Sequence, residues 1–286
     1  MTSSIPAMNS PLLDVQDLHV SFVSDGQLTQ AVRGVSFQLG REKLAIVGES
    51  GSGKSTVGRA LLQLHPAKAR ITAQAMRFGE FDLLNASAAE MRGIRGKRIS
   101  MIMQDPKYSL NPVLCVGEQI AEAWRIHHKS SAAAAKARVI EMLDVVRIRE
   151  PQRVYNLYPH EISGGQGQRI MIAMMLITDP ELVIADEPTS ALDVSVRMQV
   201  LELLDDLVKS RGLGLIFISH DLNLVRHFCD RVLVMYAGRV VESIAAADLD
   251  RAQHPYTQGL LNALPDMNHR RPRLPVLQRQ ASWLTE

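Results

Sequence analysis

The chain has 286 residues, of which 46% are hydrophobic and 22% are charged, and its formal net charge is +2. This length and hydrophobic content allow one large folded domain or two smaller ones. The near-neutral balance gives no electrostatic reason to expect nucleic acid or an anionic membrane as partner. No apolar segment approaches the ~20 residues that a membrane-spanning helix requires, so we expect any work at a membrane to be done through another protein.

The N-terminal part of the chain predicts a loose leader followed by an antiparallel β layer. Residues 1–11 are small and polar and lack the basic and apolar regions of a signal sequence, so we expect a flexible leader there. Apolar and polar residues then alternate through residues 12–22, and residues 31–39 form a second such segment after a turn. Alternation with a period of two indicates strands with one buried face.

Residues 48–56 read GESGSGKST and fit the phosphate-binding pattern G-x-x-x-x-G-K-[ST]. An apolar strand at 44–47 precedes the motif and a predicted helix at 57–64 follows it, which is the context that this loop requires. Glycines let a backbone close around phosphate, and the start of a helix directs N–H groups and positive charge toward it. We expect Lys54 to reach the β- and γ-phosphates and the Ser55 hydroxyl to bind Mg²⁺. The predicted nucleotide-binding residues of this loop are Gly48, Ser50, Gly51, Gly53, Lys54, Ser55 and Thr56.

Further short, almost continuously apolar segments lie at residues 99–103, 182–185, 215–218 and 232–235. Such segments are typical of parallel strands covered on both faces, and the helical stretches between them predict an α/β fold with a mostly parallel sheet. Between residues 104 and 160 the pattern becomes helical, at 117–126 and 131–146. This stretch predicts an inserted α-helical subdomain at about 105–165 or, alternatively, a long crossover connection packed on the sheet.

Two carboxylates, Asp186 and Glu187, end the predicted strand at 182–185. Beside a phosphate loop, the first acid at such a strand end holds Mg²⁺, and the next carboxylate is placed to orient or deprotonate an attacking water. Pro188 ends the strand, which would let Glu187 turn toward the nucleotide. Without the phosphate loop, a pair of solvated acids would be the better interpretation.

Two other polar residues also follow predicted strands. Gln104 comes after 99–103, where its amide could ligand Mg²⁺ or sense the γ-phosphate, and His220 follows 215–218, where a neutral imidazole could hydrogen-bond the γ-phosphate or the attacking water. Ligands of open α/β sheets bind at the carboxyl ends of the strands. We therefore expect Gln104 and His220 to converge with Lys54 and the Asp186–Glu187 pair on one crevice.

Residues 162–169, ISGGQGQR, predict a second anion site. Ser163 is suited to cap a helix, and Gly164 and Gly165 leave N–H groups accessible at its start. Because one nucleotide needs only one phosphate loop, the economical interpretation is that this site meets a nucleotide held by another subunit. A plain helix cap is the alternative.

Taken in order, these motifs resemble the ATP-binding subunit of an ATP-binding cassette (ABC) transporter over roughly residues 12–241. The motifs that carry the resemblance are the phosphate loop, Gln104, residues 163–166, Asp186 with Glu187, residues 190–193 and His220. The resemblance implies a P-loop NTPase (RecA-like) core, an ATPase domain spanning about 12–250 and a short C-terminal extension at 251–286. Its ligands would be ATP and Mg²⁺.

The same resemblance implies a composite site made by two subunits. Two ATP molecules would lie between the subunits, and the loop at 190–193, with Asp193, would bridge the dimer. Phe22 would stack on adenine. The signature motif that presses on the γ-phosphate of ATP in the facing subunit would be Ser163, Gly164, Gly165 and Gln166.

A finer resemblance, to importers of the peptide/nickel group, is carried by residues 104–112 (QDPKYSLNP), 158–161 (YPHE) and 254–257 (HPYT). It implies an ATPase that energises bacterial uptake of peptides, nickel or metal chelates from the cytoplasmic face of the inner membrane. The partners would be a second ABC ATPase subunit, identical or different, and two transmembrane permeases, one of them contacted by residues 105–112. An external substrate-binding protein would be an indirect partner, and no nucleic acid is expected.

Two departures from that group refine the expectation. Many members have Met followed by Arg or Leu where this chain has Gln166 and Gly167, and a glycine inside the helix would cost about 1 kcal/mol of helix propensity. Cys115 and Cys229 match no metal-ligand spacing and predict unpaired thiols in a reducing cytosol. Because no cysteine follows Cys229, we expect no iron–sulfur cluster, and the short tail leans toward the nickel or metal-chelate branch.

A non-transport ABC ATPase acting on DNA or ribosomes is the competing hypothesis. Such proteins need long coiled-coil arms or two fused cassettes, whereas this sequence has one cassette, no sustained heptads and no basic stripe. A third hypothesis is an exporter subunit or a non-hydrolysing cassette. Glu187 and His220 argue against a dead site, and residues 104–112 argue for import.

Overall fold

The computed structural model describes residues 11–24, 27–103, 110–190, 192–264 and 283. The chain divides into two compact units, one formed by residues 1–86 and 218–286 and the other by residues 87–217. In chain order the described strands are β1 (Leu13–Ser24), β2 (Gln27–Leu39), β3 (Lys43–Val47), β4 (Arg70–Thr72), β5 (Ala75–Phe78), β6 (Phe81–Asp82), β7 (Ile99–Ile102), β8 (Leu182–Asp186), β9 (Gly214–Ser219), β10 (Arg231–Tyr236) and β11 (Arg239–Ala245). The described helices are α1 (Lys54–Leu61), α2 (Ala88–Ile94), α3 (Val116–Arg125), α4 (Ala132–Val145), α5 (Pro151–Tyr155), α6 (Gly164–Leu176), α7 (Val194–Arg211), α8 (Leu222–Phe228) and α9 (Pro255–Asn262), with 3₁₀ turns at Pro159–Glu161 and Ala246–Arg251.

The first unit contains the predicted antiparallel layer, with strand order β2-β1-β5-β6 and β4 also paired to β1. The buried side chains of β1 keep a period of two up to Val15 and resume it at Leu18. Between them the ladder shifts register, and Asp17 adopts a left-handed φ of 53°. The irregularity explains why the apolar alternation of the sequence changes phase at this point.

The phosphate loop of the first unit begins at the end of a buried parallel pair. β3 and β10 run parallel with Val47 opposite Val234, and β11 continues the sheet antiparallel to β10. Helix α1 covers Lys54–Leu61, so the predicted range of 57–64 was wrong by one turn at each end. The helix ends early because Gln63 adopts a φ of 50° and the Leu64 N–H turns back to the Arg59 carbonyl.

The second unit holds the other parallel strands and most of the helices. β7 and β8 run parallel with Ile102 opposite Ala185, every residue of both strands is buried, and the strand order is β9-β8-β7. The predicted strands at 99–103, 182–185, 215–218 and 232–235 are therefore confirmed within a residue or two at each end.

The helices predicted at 117–126 and 131–146 are confirmed as α3 and α4, and a short helix that was not predicted, α5, follows them. Val139, Met142 and Leu143 of α4 are fully buried, as their spacing predicts. Gly117 lies against the Tyr155 ring, and a Cβ at that position would come within 2.2 Å of ring atoms. In the described ranges no helix combines the length and apolar character needed to cross a bilayer.

Both cysteines carry free thiols, as the sequence predicts. Cys229 is buried beside α8, and its burial raises the pKa of the thiol far above its ordinary value. Such a thiol stays protonated and is inert as a nucleophile near neutral pH.

Candidate functional site

Residues 48–53 form a tight loop that joins β3 to α1 in the first unit. Gly53 is the N-cap of α1, with a φ of 101°, and its carbonyl accepts the first helical hydrogen bond from Val57 at 3.0 Å. Ser50 and Gly51 are exposed at the tip, whereas Ser55 and Thr56 are half-buried in the first turn of the helix. The loop therefore presents its backbone at the positive end of a helix that starts directly after it.

Glycine is required at two positions because other backbone segments press against the loop. At Gly48, with a φ of 147°, a Cβ would lie 2.2 Å from the Met235 carbonyl oxygen at the end of β10. At Gly53 a Cβ would lie 2.4 Å from the Ala31 carbonyl oxygen of β2. Any side chain at either position would force one of these backbones to move.

Lys54 folds over the loop that precedes it. Its side chain is only 6% exposed, and its ammonium donates hydrogen bonds to the carbonyls of Gly48 at 2.9 Å and Glu49 at 2.7 Å. A lysine is a compact point charge, and this one is fixed against two carbonyls of the loop. The arrangement suits a polyanion such as a chain of phosphates.

Phe22 contacts His65, a residue just after α1 that the sequence analysis missed. The two rings meet edge to face, with centroids 5.4 Å apart, and a ring nitrogen of His65 hydrogen-bonds the Thr56 carbonyl at 3.1 Å. Burial lowers the pKa of His65, which keeps the ring neutral at pH 7. No sequence pattern points to His65, because it lies outside any motif in the turn after α1.

His220 follows β9 directly, as predicted, and is exposed. The next residue, Asp221, caps α8 by accepting a hydrogen bond from the Leu224 N–H at 3.0 Å. The end of β9 and the start of α8 thus fix the backbone on both sides of the imidazole.

In the second unit, Asp186 is the last residue of β8 and is only 5% exposed. The parallel pairing of β7 with β8 brings the carboxyl ends of the two strands to one edge. Gln104, which follows β7, lies outside the described residues, as do residues 105–109 and Ala191. Among the residues that are described, no three His, Cys, Asp or Glu side chains cluster closely enough to hold a metal by themselves.

Glu187 has a left-handed backbone, with a φ of 48°. Its carbonyl accepts hydrogen bonds from the Ser190 N–H at 3.2 Å and the Ser190 hydroxyl at 3.1 Å, which close a turn immediately after β8. A non-glycine residue held at positive φ costs of order 1–3 kcal/mol and persists only where surrounding contacts impose it. β8 ends at Asp186, so the chain leaves the strand at Glu187, one residue before Pro188.

Ser163 caps α6, as predicted. Its hydroxyl accepts the Gln166 N–H at 3.3 Å, while the Gln166 side chain accepts the Ser163 N–H at 3.0 Å, and the two bonds form a capping box. Gly167 lies inside the helix, where the expected loss of propensity applies.

The helix start at Gly165 packs closely on α7. A Cβ at Gly165 would lie 2.7 Å from a methyl group of Val196, and Asp193 caps α7 by accepting the Val196 N–H at 3.1 Å. Gly165 and Asp193 therefore both contact one residue, Val196.

A basic groove of about 410 Å³ borders this helix start, another feature that the sequence analysis missed. Arg147, Arg149 and Arg169 line it together with Ser163 and Gly165. Arg169 is held in place because it donates to the Arg147 carbonyl at 2.9 Å and the Gln199 side chain at 2.6 Å. Arginine side chains thus lie beside the exposed start of α6, and one of them, Arg147, is also paired with Asp206.

Comparison with known proteins agrees with these features. The family model described as ABC transporter matches residues 32–190. The chain is 48% identical over 260 residues to the dipeptide transport ATP-binding protein DppD of Bacillus subtilis, a match that covers 90% of this chain and 78% of that protein. It is 48% identical over 259 residues to the oligopeptide transport ATP-binding protein OppD of the same organism, covering 90% of this chain and 72% of that one.

Among solved structures, the fold is similar to the dimeric post-hydrolysis state of the ATP-binding cassette MJ0796 bound to ADP and Pi. The TM-score is 0.71 at 25% identity, and the match covers 82% of this chain and 98% of the other. The resemblance read from the motifs is confirmed: the chain belongs to the ABC transporter family and is an ATP-binding subunit, an ATPase, of the importer type.

Proposed function

We propose that residues 48–56 bind the phosphates of ATP and that cleavage occurs in a composite site completed by a second cassette. The observation that carries the proposal is the loop itself, whose glycines are enforced by the Ala31 and Met235 carbonyls and whose Lys54 ammonium is buried among loop carbonyls. Phe22 would stack on the adenine.

Each polar residue then takes a role in hydrolysis. Glu187 would orient or deprotonate the attacking water, and His220 would hydrogen-bond the γ-phosphate or that water. Mg²⁺, when bound, would neutralise charge on the phosphates, and Ser55, Asp186 and Gln104 would hold it. Asp186 fits this role because it is a nearly buried carboxylate at a strand end, and few protein ligands are needed since Mg²⁺ keeps water and phosphate oxygens in its shell.

The second cassette would supply the signature motif. The capping box at Ser163 fixes the start of α6, and the arginines of the neighbouring groove add positive charge at the same place. The MJ0796 structure is described as dimeric and bound to ADP and Pi, which supports a pair of cassettes as the working form. The second subunit is identical to this chain or a different one.

The assembled pair would act on two permeases at the cytoplasmic face of the bacterial inner membrane, with an external binding protein delivering the cargo. Residues 105–112 would contact a permease. Peptides are the substrate class that we propose first, because the relatives DppD and OppD are named for dipeptide and oligopeptide transport. Nickel and metal chelates are the second class, because residues 104–112 and 254–257 resemble the peptide/nickel group as a whole.

The test is Glu187→Gln in the full transporter, compared with Glu202→Gln, an exposed residue of α7. Glu187→Gln is expected to keep ATP affinity within about twofold and to lower turnover by at least about 100-fold, because general-base and water-orienting groups contribute about 10²–10⁴-fold. The Glu202 variant should match the wild type in both measurements. Normal turnover by Glu187→Gln would remove that residue from the mechanism.

A further inference from the structure

We propose that Tyr256, far from the phosphate loop in sequence, is a positioning residue for that loop. The inference rests on the proposed function, in which residues 48–56 bind the phosphates of ATP. Tyr256 lies in α9, beyond the strands of the nucleotide-binding core, and its role would extend the functional site into the C-terminal part of the chain.

The contact that carries the inference is a hydrogen bond from the Glu49 N–H to the Tyr256 hydroxyl, at 3.1 Å across 207 residues of sequence. The Tyr256 side chain is fully buried, at 0% exposure. Glu49 is the first residue after Gly48, so the hydroxyl binds the phosphate loop where it leaves β3.

The peptide unit between Gly48 and Glu49 is thereby held at both of its polar atoms. Its N–H is bound by Tyr256, and its carbonyl accepts a hydrogen bond from the Lys54 ammonium at 2.9 Å. A peptide plane held on both sides resists rotation, and rotation here would re-aim the N–H groups that follow. Tyr256 therefore stabilises the orientation of the loop N–H groups that a bound phosphate would contact.

Tyr256 is itself held by an aromatic cluster, which we define as Tyr236, His254, Tyr256 and Trp283. The Tyr256 ring centroid lies 4.6 Å from that of Tyr236 and 5.9 Å from that of Trp283, which is only 4% exposed. His254 contacts Trp283 at 6.0 Å, and its ring nitrogen accepts the Tyr256 N–H at 3.1 Å. Tilted and edge-to-face rings at these distances attract one another.

The turn that follows Tyr236 of the cluster also contacts the loop. Tyr236 ends β10, and two residues later the Gly238 N–H donates to the Ser52 carbonyl at 3.0 Å. The cluster itself thus contacts the loop at Glu49, and the turn after Tyr236 contacts it at Ser52 through the backbone. Phenylalanine at 256 would fill nearly the same volume, but it would leave the Glu49 N–H without its acceptor.

The test measures ATP and ADP binding to the full chain with Mg²⁺, using a fluorescent ATP analogue and competition, for the wild type, Tyr256→Phe, Tyr236→Phe and Lys54→Ala. Tyr256→Phe is expected to weaken binding of both nucleotides about tenfold, because nucleotide binding would then have to supply the free energy of ordering the peptide unit that the hydroxyl's hydrogen bond supplies in the wild type. Tyr236→Phe removes a hydroxyl from the same cluster and is expected to stay within about twofold of the wild type. Thermal unfolding shows that each variant is folded at the assay temperature.

The outcomes separate the two proposals. If Lys54→Ala binds ATP as the wild type does, the proposed function fails. If Lys54→Ala loses binding while Tyr256→Phe stays within about twofold of the wild type, the positioning role alone fails. If Tyr256→Phe lowers the thermal stability but leaves the nucleotide affinity unchanged, the role of Tyr256 is only structural. That result also overturns the inference.

A second measurement does not depend on the folding of the Tyr256 variant. The chain has two tryptophans, so Trp124→Phe leaves Trp283 as the sole tryptophan. Because Trp283 packs on Tyr256, ATP binding to that chain is expected to change the Trp283 emission with the same Kd that the fluorescent analogue gives. An emission that stays constant through saturation would refute coupling between the cluster and the loop.

Discussion

The fit of the phosphate loop between its neighbouring backbones can be tested with Gly53→Ala. The new Cβ would lie 2.4 Å from the Ala31 carbonyl oxygen, and the residue would keep a φ of 101°. Left-handed backbone costs a non-glycine residue about 1–2 kcal/mol, and overpacking against a backbone that cannot retreat costs about 1–3 kcal/mol more. We expect the free energy of unfolding to fall by about 2–5 kcal/mol, together with a loss of ATP binding.

Two other glycines separate the contributions. Gly51 has a φ of 80°, but a Cβ there would meet nothing within 4 Å, so Gly51→Ala should cost only the backbone term of about 1–2 kcal/mol. Gly40 has neither a positive φ nor a close neighbour, and Gly40→Ala should be neutral or slightly stabilising. Urea unfolding with a constant m-value gives the three differences. Equal losses for Gly53→Ala and Gly51→Ala would refute the steric argument.

Two further predictions concern the signature helix and His65. Ser163→Arg should leave ATP binding by the isolated chain unchanged but stop hydrolysis in the assembled complex. Ser163→Thr, which keeps a capping hydroxyl, should remain active. Normal hydrolysis by the Ser163→Arg complex would mean that this site is only a helix cap. Burial holds the pKa of His65 below its usual 6.5, so the unfolded chain binds its proton first as the pH falls below about 6.5. Stability should therefore decline as the pH drops through that range, and urea unfolding from pH 7 to 5.5 should show a shallower decline for His65→Gln. An identical pH dependence in both proteins would exclude His65 as a source.

The sequence was most informative where one local pattern decides the outcome. The buried parallel strands were found within a residue or two, because continuous apolar segments of this length fit few other structures. Ser163 was correctly predicted as an N-cap, because serine three residues before glutamine at a helix start forms a capping box from local bonds alone. Helix α1 was misplaced because its end depends on the left-handed turn at Gln63, a residue without a strong preference for that conformation.

Long-range contacts account for the features that sequence patterns did not predict. The loop motif can be recognised in nine consecutive residues, but its shape is imposed by the Ala31 carbonyl of β2, the Met235 carbonyl and Gly238 N–H at the β10–β11 turn, and the Tyr256 hydroxyl of α9. Three of these groups are backbone carbonyls or N–H groups, which have no local signature because almost every residue carries them, and the HPYT segment at 254–257 does not by itself show that Tyr256 contacts the loop. The phosphate loop is therefore a local motif whose conformation is set by segments up to 207 residues away, and variants that remove these contacts should alter nucleotide binding although they lie outside the loop motif itself.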